Sequence, residues 1–328
     1  MRSLYVMGGQ QRYLRTLSTG ANDWYEYQKG VILRVTPETG DIETCVTYAS
    51  PPEACAEQDP VILFKSGTLH DNVLYASTQT EVIIYRLHNF EQIGYLSLPC
   101  FNDVHHVRPT PDGHLLVANT GLDMVLEVSL DGTVRREWNV LGEEPWGLFS
   151  KAIDYRKGIS TKPHRAHPNY VFYLDDEIWA TRFQQKDAIC LTHPDRRIDI
   201  GIDRVHDGVL HEGYVYFTTV NGNIVIVNAR TLRIEEIVDL NTIHAEQQIL
   251  GWCRSIYIEG GKAWVGFSRL RPTKWRENVS WVLQGFKGVA PTHIACYDLE
   301  RRCCITEINL ETHGLNAVFS IFPVVNDE

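Results

Sequence analysis

The sequence is most informative first for what it lacks. None of its eight cysteines forms a C-x-x-C pair, and the adjacent Cys303 and Cys304 would point to opposite faces of a strand. Scattered thiols of this kind fit reduced cysteines in a cytoplasmic protein. No apolar run approaches the roughly 20 residues that span a bilayer; the longest, such as Gly314 to Val325, are far shorter. The N-terminal run Leu4-Tyr5-Val6-Met7 is too short for a secretory signal. Basic charge is also scarce. Lys and Arg total 31 against 41 Asp and Glu, giving a net charge of −10. That balance argues against nucleic acid as a partner, because phosphate contact needs a clustered basic surface. There is no G-x-S-x-G elbow for a serine nucleophile, and Gly8-Gly9 and Gly260-Gly261 are turns rather than phosphate loops. Helical apolar spacing is almost wholly missing.

What is present is a repeated strand cadence. Val73–Thr78, Leu115–Thr120, Ile178–Thr181, Tyr214–Thr218, Ala263–Phe267 and Leu4–Met7 read as equivalent second strands. Each of the first five is followed by a third strand: Val82–Tyr85, Val125–Val128, Ala188–Leu191, Ile224–Val227 and Ile294–Tyr297. Asp-Gly, Asn-Gly and Gly-Gly pairs at strand ends are hairpin signals. Four-stranded units recurring at roughly 40-residue spacing are the signature of propeller blades. The chain is therefore expected to be all-β, a six-bladed β-propeller of four-stranded blades in a single domain, 1–328. Blades are expected at about 61–99, 100–141, 164–200, 202–240 and 250–310. The sixth joins both termini, with Gly314–Val324 innermost and residues 3–50 supplying the rest, so that no ring edge stays open. A pair of stacked sheets is the alternative, but it leaves the recurrence unexplained.

Two stretches, about 142–166 and 269–291, interrupt the cadence and carry Trp146, Phe149, Trp275, Trp281 and Phe286 among Lys and Arg residues. Long loops in compact domains are commonly functional. These two are expected either to lie over one channel mouth or to cover blade edges, and either could meet a protein partner.

The first strand of each blade should line the axis. Aligning the turns Asp71-Asn72, Asp112-Gly113, Asp175-Asp176, Glu212-Gly213 and Gly260-Gly261 puts Lys65, His106, Asn169, His206 and Arg254 at one level, with Asn316 comparable in the terminal blade. The alignment has one residue of slack, which brings in Val104, His105, His167 and Cys253; Asp103, His164, Asp207 and Ser255 stand beside the ring. Three readings follow. His106, His167 and His206, with Asp103 or Asp207, can hold one divalent metal ion as a Lewis acid, although Lys65 and Arg254 oppose a nearby cation. Without metal, Lys65 and Arg254 can bind an anion, Asn169 and Asn316 can orient it, and His106, His167 or His206 can move protons. Alternatively, the polar groups satisfy one another down the channel. The expectation is an enzyme of hydrolase, lyase or isomerase type on a small polar or anionic substrate, against a non-catalytic ligand- or protein-binding scaffold.

Gly251-Trp252-Cys253-Arg254-Ser255-Ile256, followed by Ala263–Arg271, resembles a signature of a poorly characterised bacterial family of propeller proteins. His167-Pro168-Asn169 resembles that family's inner strand, and His206-Asp207-Gly208 its blade starts. Ser255 stands where the family usually has Gly. The broader resemblance is to NHL and gluconolactonase-type six-bladed propellers, which include metal-dependent lactonases and metal-free binding modules. The resemblance implies the fold and leaves the chemistry open.

Overall fold

The computed structural model describes residues 1–12, 27–158, 160–244, 248–270 and 288–325. The chain forms six four-stranded antiparallel sheets arranged as the blades of a propeller. In the terminal blade β24 (Ala317–Pro323) is innermost, followed outward by β1 (Leu4–Gln11), β2 (Tyr27–Thr36) and β3 (Asp41–Tyr48). The next blade runs β4 (Gly67–His70), β5 (Val73–Ser77), β6 (Val82–Arg86) and β7 (Glu91–Leu96). Then come β8 (Val104–Pro109), β9 (Leu115–Asn119), β10 (Met124–Val128) and β11 (Val134–Asn139). The fourth blade holds β12 (Pro168–Leu174), β13 (Glu177–Arg182), β14 (Asp187–Cys190) and β15 (Arg197–Asp199). The last two are β16 (Val205–His211), β17 (Tyr214–Thr219), β18 (Asn223–Asn228) and β19 (Ile234–Asp239), then β20 (Trp252–Glu259), β21 (Lys262–Ser268), β22 (His293–Asp298) and β23 (Cys303–Asn309). Among the described residues no helix is long and apolar enough to cross a membrane.

In four blades the first hairpin turns at the two residues expected from the sequence; β8 and β9 are joined by a longer connection in which only Gly113 of Asp112-Gly113 has positive φ. Asp71-Asn72, Asp175-Asp176, Glu212-Gly213 and Gly260-Gly261 all have both residues at positive φ, from 47° to 81°. That is the geometry that matches a two-residue connection to the twist of its strands. Asp, Asn and Gly tolerate it best, so the turns select these residues.

Blades are held together by apolar residues from two neighbours at a time. Val82, Ile84 and Leu96 pack with Val104, Val117 and Leu126, and Leu116 and Val125 pack with Val171 and Ile189. Further round the ring, Phe172 and Trp179 meet Phe217 and Val225, and Ile224 and Val238 meet Val265 and Tyr297. Trp264 and Cys296 meet Val6 and Leu33, and Tyr5 and Ile32 meet Phe64 and Ile83, which closes the ring. Each interface thus draws on the middle strands, where the sequence is richest in Val, Ile and aromatic residues.

Strand direction decides where long loops emerge. Each inner strand starts at one face, here called the top, and the second strand returns there. Connections between blades and between second and third strands therefore share the top face. The segments between Asn139 and Pro168, between Ser268 and His293, and between Gln11 and Tyr27 all begin and end on it. Within the first of these, Tyr155 is buried in the core between the β4–β7 and β8–β11 blades, with Trp146 and Phe149 packed beside it. These aromatic residues cover a blade interface, not the axis. Trp275, Trp281 and Phe286 lie outside the described residues.

At the closure Gly8 of β1 faces β24 so closely that a Cβ would overlap the Ala317 carbonyl. Gly8→Ala is expected to lower the unfolding free energy in urea by about 2–4 kcal/mol. Thr44→Ala, on the exposed outer strand β3, should stay within about 0.5 kcal/mol.

Candidate functional site

Every inner strand carries an irregularity near its top end. Pairing slips between Val104 and His106, Pro168 and Tyr170, His206 and Val209, Arg254 and Ile256, and, opposite β1, around Phe319. In the β4 blade the Lys65 N–H bonds to the Ser77 carbonyl while Gly67 pairs with Ala76, which leaves Ser66 over. A β-bulge adds a residue and re-aims the side chains around it. The bulge stands at different distances from the hairpin turn in different blades. Counting back from the turns therefore gathers residues that the strands point in different directions.

His106 is past its bulge and turns between blades. Its Nε2 lies 3.0 Å from the Gly67 carbonyl, and its Nδ1 accepts the Val171 N–H at 3.2 Å. The ring stacks on Tyr170 at 3.7 Å. Both nitrogens thus serve backbone on the two flanking blades, and neither faces a ligand. Asn169 plays a similar part, its Nδ2 donating to the Val205 carbonyl at 2.9 Å. The Asn316 side chain accepts the Gln11 N–H at 2.9 Å and fixes the end of β1.

His105, the bulged residue, faces the site in place of His106. Together the described residues place Asp103, His164 and His167 so that one ligand atom of each lies within 4.8 Å of the others. All three are buried. The Asp103 carboxylate is the hub. One oxygen pairs with the fully buried Lys65 ammonium and stands 3.8 Å from His105 Nδ1, and the other stands 3.9 Å from His164 Nδ1. His164 Nδ1 and His167 Nδ1 are 2.7 Å apart, so one must donate to the other. The His105 ring meets His167 edge-on at 4.8 Å.

The two histidines are positioned by a carboxylate that sequence reading passed over. Asp123 accepts the backbone N–H groups of Arg165, Ala166 and His167 at 2.8, 3.0 and 2.7 Å. That grip fixes the turn His164-Arg165-Ala166-His167 and aims both rings one way. The i, i+3 histidine spacing was the available signal. Asp103 and His167, like Asp207 and Ser255 on the next two inner strands, sit at left-handed φ of 50° to 61°. Non-glycine residues held there cost free energy and gather at functional sites.

Beyond His167 the array continues through Phe183 to His206, with ring centres 4.9 and 5.4 Å apart. His206 Nε2 is buried without a hydrogen-bond partner among the described residues. The Arg254 guanidinium lies between the Trp252 and Phe319 rings, 5.0 and 4.6 Å from their centres. Arg204 lies over Phe183 and Trp252 at 5.4 and 5.8 Å. Of the ring read from sequence, Lys65 and His167 join the cluster, and His206 and Arg254 stand further along the same array.

Burial governs the titration of these groups. It pushes the His105, His167 and His206 imidazoles well below their ordinary pKa, helped respectively by Lys65, by His105 and by Arg254. His164 is also lowered, chiefly by burial. Burial would raise the Asp103 carboxyl, but Lys65, His105 and His164 together hold it well below the usual range. Asp207 goes the other way, pushed up to about 7 by burial despite hydrogen bonds from Thr218 and the Ser255 N–H. Burial also lowers Lys65, opposed by the charge and hydrogen bond of Asp103, so the site combines imidazoles held toward the neutral form with a carboxylate held toward the ionised one. Neutral imidazole is the form that ligates metal or accepts a proton.

The same shifts set a pH profile. A histidine held neutral in the fold stabilises it fully only above the unfolded value near 6.5, and that contribution is lost as pH falls below it. His106 and His206 are two such groups. His244, pushed up to about 9 by hydrogen bonds with Cys304 and Glu307, acts oppositely, its contribution fading as pH rises through that value. Denaturant titrations from pH 5 to 9 should therefore show greatest stability near neutrality. On the acid side each such imidazole should contribute up to about 1.4 kcal/mol per pH unit. His106→Ala should lose about 2–4 kcal/mol at pH 7, because it strands the Gly67 carbonyl and the Val171 N–H.

No family model matches the chain, and no curated protein matches it. Its likeness is to solved structures. A protein of unknown function from Bacteroides caccae aligns over 99% of both chains at 14% identity with a TM-score of 0.62. A chain of the nidogen/laminin complex aligns over 97% of both at 11% identity with a TM-score of 0.54. At these identities the likeness establishes the fold: a six-bladed β-propeller.

Proposed function

We propose that the protein is an enzyme acting on a small anionic or polar substrate at the top of its central channel, with a divalent metal ion held by Asp103, His164 and His167. The observation that carries this reading is the convergence of one ligand atom from each of Asp103, His164 and His167 within 4.8 Å of one another; the proton shared by the two imidazoles would leave as the metal enters. The donor set, two imidazoles and a carboxylate, is one that divalent zinc accepts in catalytic sites with an open position. Bound there, the metal would polarise a carbonyl or acidify a water. Arg254, held between two aromatic rings, would anchor the substrate's negative charge. His206, neutral and with its Nε2 unpartnered, would accept or return a proton. Lactone or ester hydrolysis is the reaction class this arrangement serves most directly. Lyase and isomerase steps also use an anchored anion beside a neutral imidazole.

One observation favours a second reading. Lys65 already neutralises Asp103, which weakens the pull on a dication and suits a metal-free site that binds an anion without chemistry.

The two readings separate in one experiment. Protein purified without chelator should carry a divalent metal by elemental analysis, and His167→Ala and Asp103→Asn should each carry about one equivalent less than the wild type. Lactone or ester hydrolysis should be abolished by chelation and restored by metal. Protein free of bound metal, and unable to take it up, but stabilised in thermal shift by small carboxylates or phosphates, would overturn the metal reading in favour of the second.

A further inference from the structure

A second set of metal-ligating side chains lies on the opposite face of the propeller, at the bottom of the β12–β15 blade. Cys190 ends β14, His193 follows in the connection to β15, and Glu177 opens β13 just after the Asp175-Asp176 turn. Their ligand atoms lie within 4.8 Å of one another, and His193 Nδ1 is 2.7 Å from Glu177 Oε1. We propose that Cys190, His193 and Glu177 form a binding site for a zinc-like divalent metal, independent of the site at the top of the channel.

Three features go beyond proximity. The first is the sulfur's surroundings. The backbone N–H of His193 donates to Cys190 Sγ at 3.3 Å, and Thr192 Oγ1 lies 3.1 Å from it. These contacts orient the sulfur, as outer-shell partners do for a metal ligand. The turn Cys190-Leu191-Thr192-His193 thus places sulfur and imidazole on one side of a short connection while orienting the sulfur from behind. The second is the carboxylate's support. Arg196 stacks over Trp179 at 5.5 Å and pairs with Glu177 Oε2, which leaves Oε1 turned toward His193.

The third is charge. A metal bound in place of the thiol proton would face two anionic ligands, of which Arg196 offsets one. At the top site Lys65 cancels the single carboxylate. Sulfur, imidazole nitrogen and carboxylate oxygen together also suit a borderline-soft ion such as zinc better than magnesium or calcium. His193 is 66% exposed while Cys190 is fully buried, so the site is reached from the imidazole side. Binding releases the thiol proton to solvent and forms the metal–sulfur bond.

Cobalt(II) titrated into the full-length protein tests this, because a thiolate–cobalt charge-transfer band reports sulfur ligation and the top cluster contains no cysteine. The top-site variant His167→Ala should give the band with one equivalent of cobalt and the wild type by two equivalents, and zinc should displace it in both. Cys190→Ser and His193→Ala should each abolish it, whereas Cys303→Ser, which alters an exposed thiol, should leave it intact. His193→Ala alters an exposed side chain and keeps the test decisive if Cys190→Ser fails to fold. Absence of the band in the wild type, or its persistence in His193→Ala, would overturn the proposal. Because the readout needs no catalysis, its outcome is independent of the top site's function.

Discussion

The innermost strand of every blade is an edge strand, and the rest of the structure depends on how its free edge is satisfied. Its outer edge pairs with the second strand, but toward the axis no ladder continues. Unpaired backbone groups that are buried cost free energy comparable to a lost hydrogen bond. The propeller answers with side chains and bulged backbone from the next blade. His106 bridges Gly67 and Val171, Asn169 reaches Val205, the Ser66 N–H bonds to the His105 carbonyl, Ser320 reaches Gly67, and Thr68 reaches Val107. Polar residues are thus required near the axis whether or not anything binds there.

That requirement separates framework from candidate chemistry. His106 has both ring nitrogens directed at backbone, and the Asn169 Nδ2 and Asn316 Oδ1 also bond to backbone, while the Asn169 Oδ1 is buried without a partner among the described residues. Asp103, Lys65, His105, His164 and His167 make one another's environment. Burying an ammonium and a carboxylate side by side is weak evidence of stabilisation, since desolvation opposes their attraction. Their presence, alongside left-handed backbone at Asp103 and His167, marks a place where the fold accepts cost. The bottom set at Cys190 stands in a different setting, on a hairpin connection at the surface, where ligand geometry comes from local turns and not from the meeting of blades.

The blade pattern was legible because it is local. Val-rich second strands, two-residue turns at Asp71-Asn72 or Gly260-Gly261, and the fixed cadence between them each follow from residues near in sequence. The closure through Gly314–Val324 was legible too, since an open propeller leaves a strand edge that the spare terminal segment can cover. The site was only partly legible. Lys65, His167, His206 and Arg254 were named from their level on the inner strands, yet His106 was named where His105 faces the cluster. A bulge inverts the alternation of side chains, and nothing in the local sequence announces where in each strand it falls. Asp123 was invisible for another reason: its role is to hold the backbone of Arg165–His167, some forty positions later.

By itself, then, the sequence determined the class of fold, the number of blades and the pairing of the two termini, because these rest on apolar alternation and turn chemistry written into short stretches of chain. Only the tertiary structure decided which polar side chains turn inward together. That choice depends on the bulges of the inner strands, and on side chains drawn from three places: the start of β8, the end of a long connection and the threshold of β12. Residues so far apart in sequence converge because three consecutive blades pack side by side around the axis. The same packing converted a row of similar-looking polar positions into two kinds, those that hold blades together and those left facing one another.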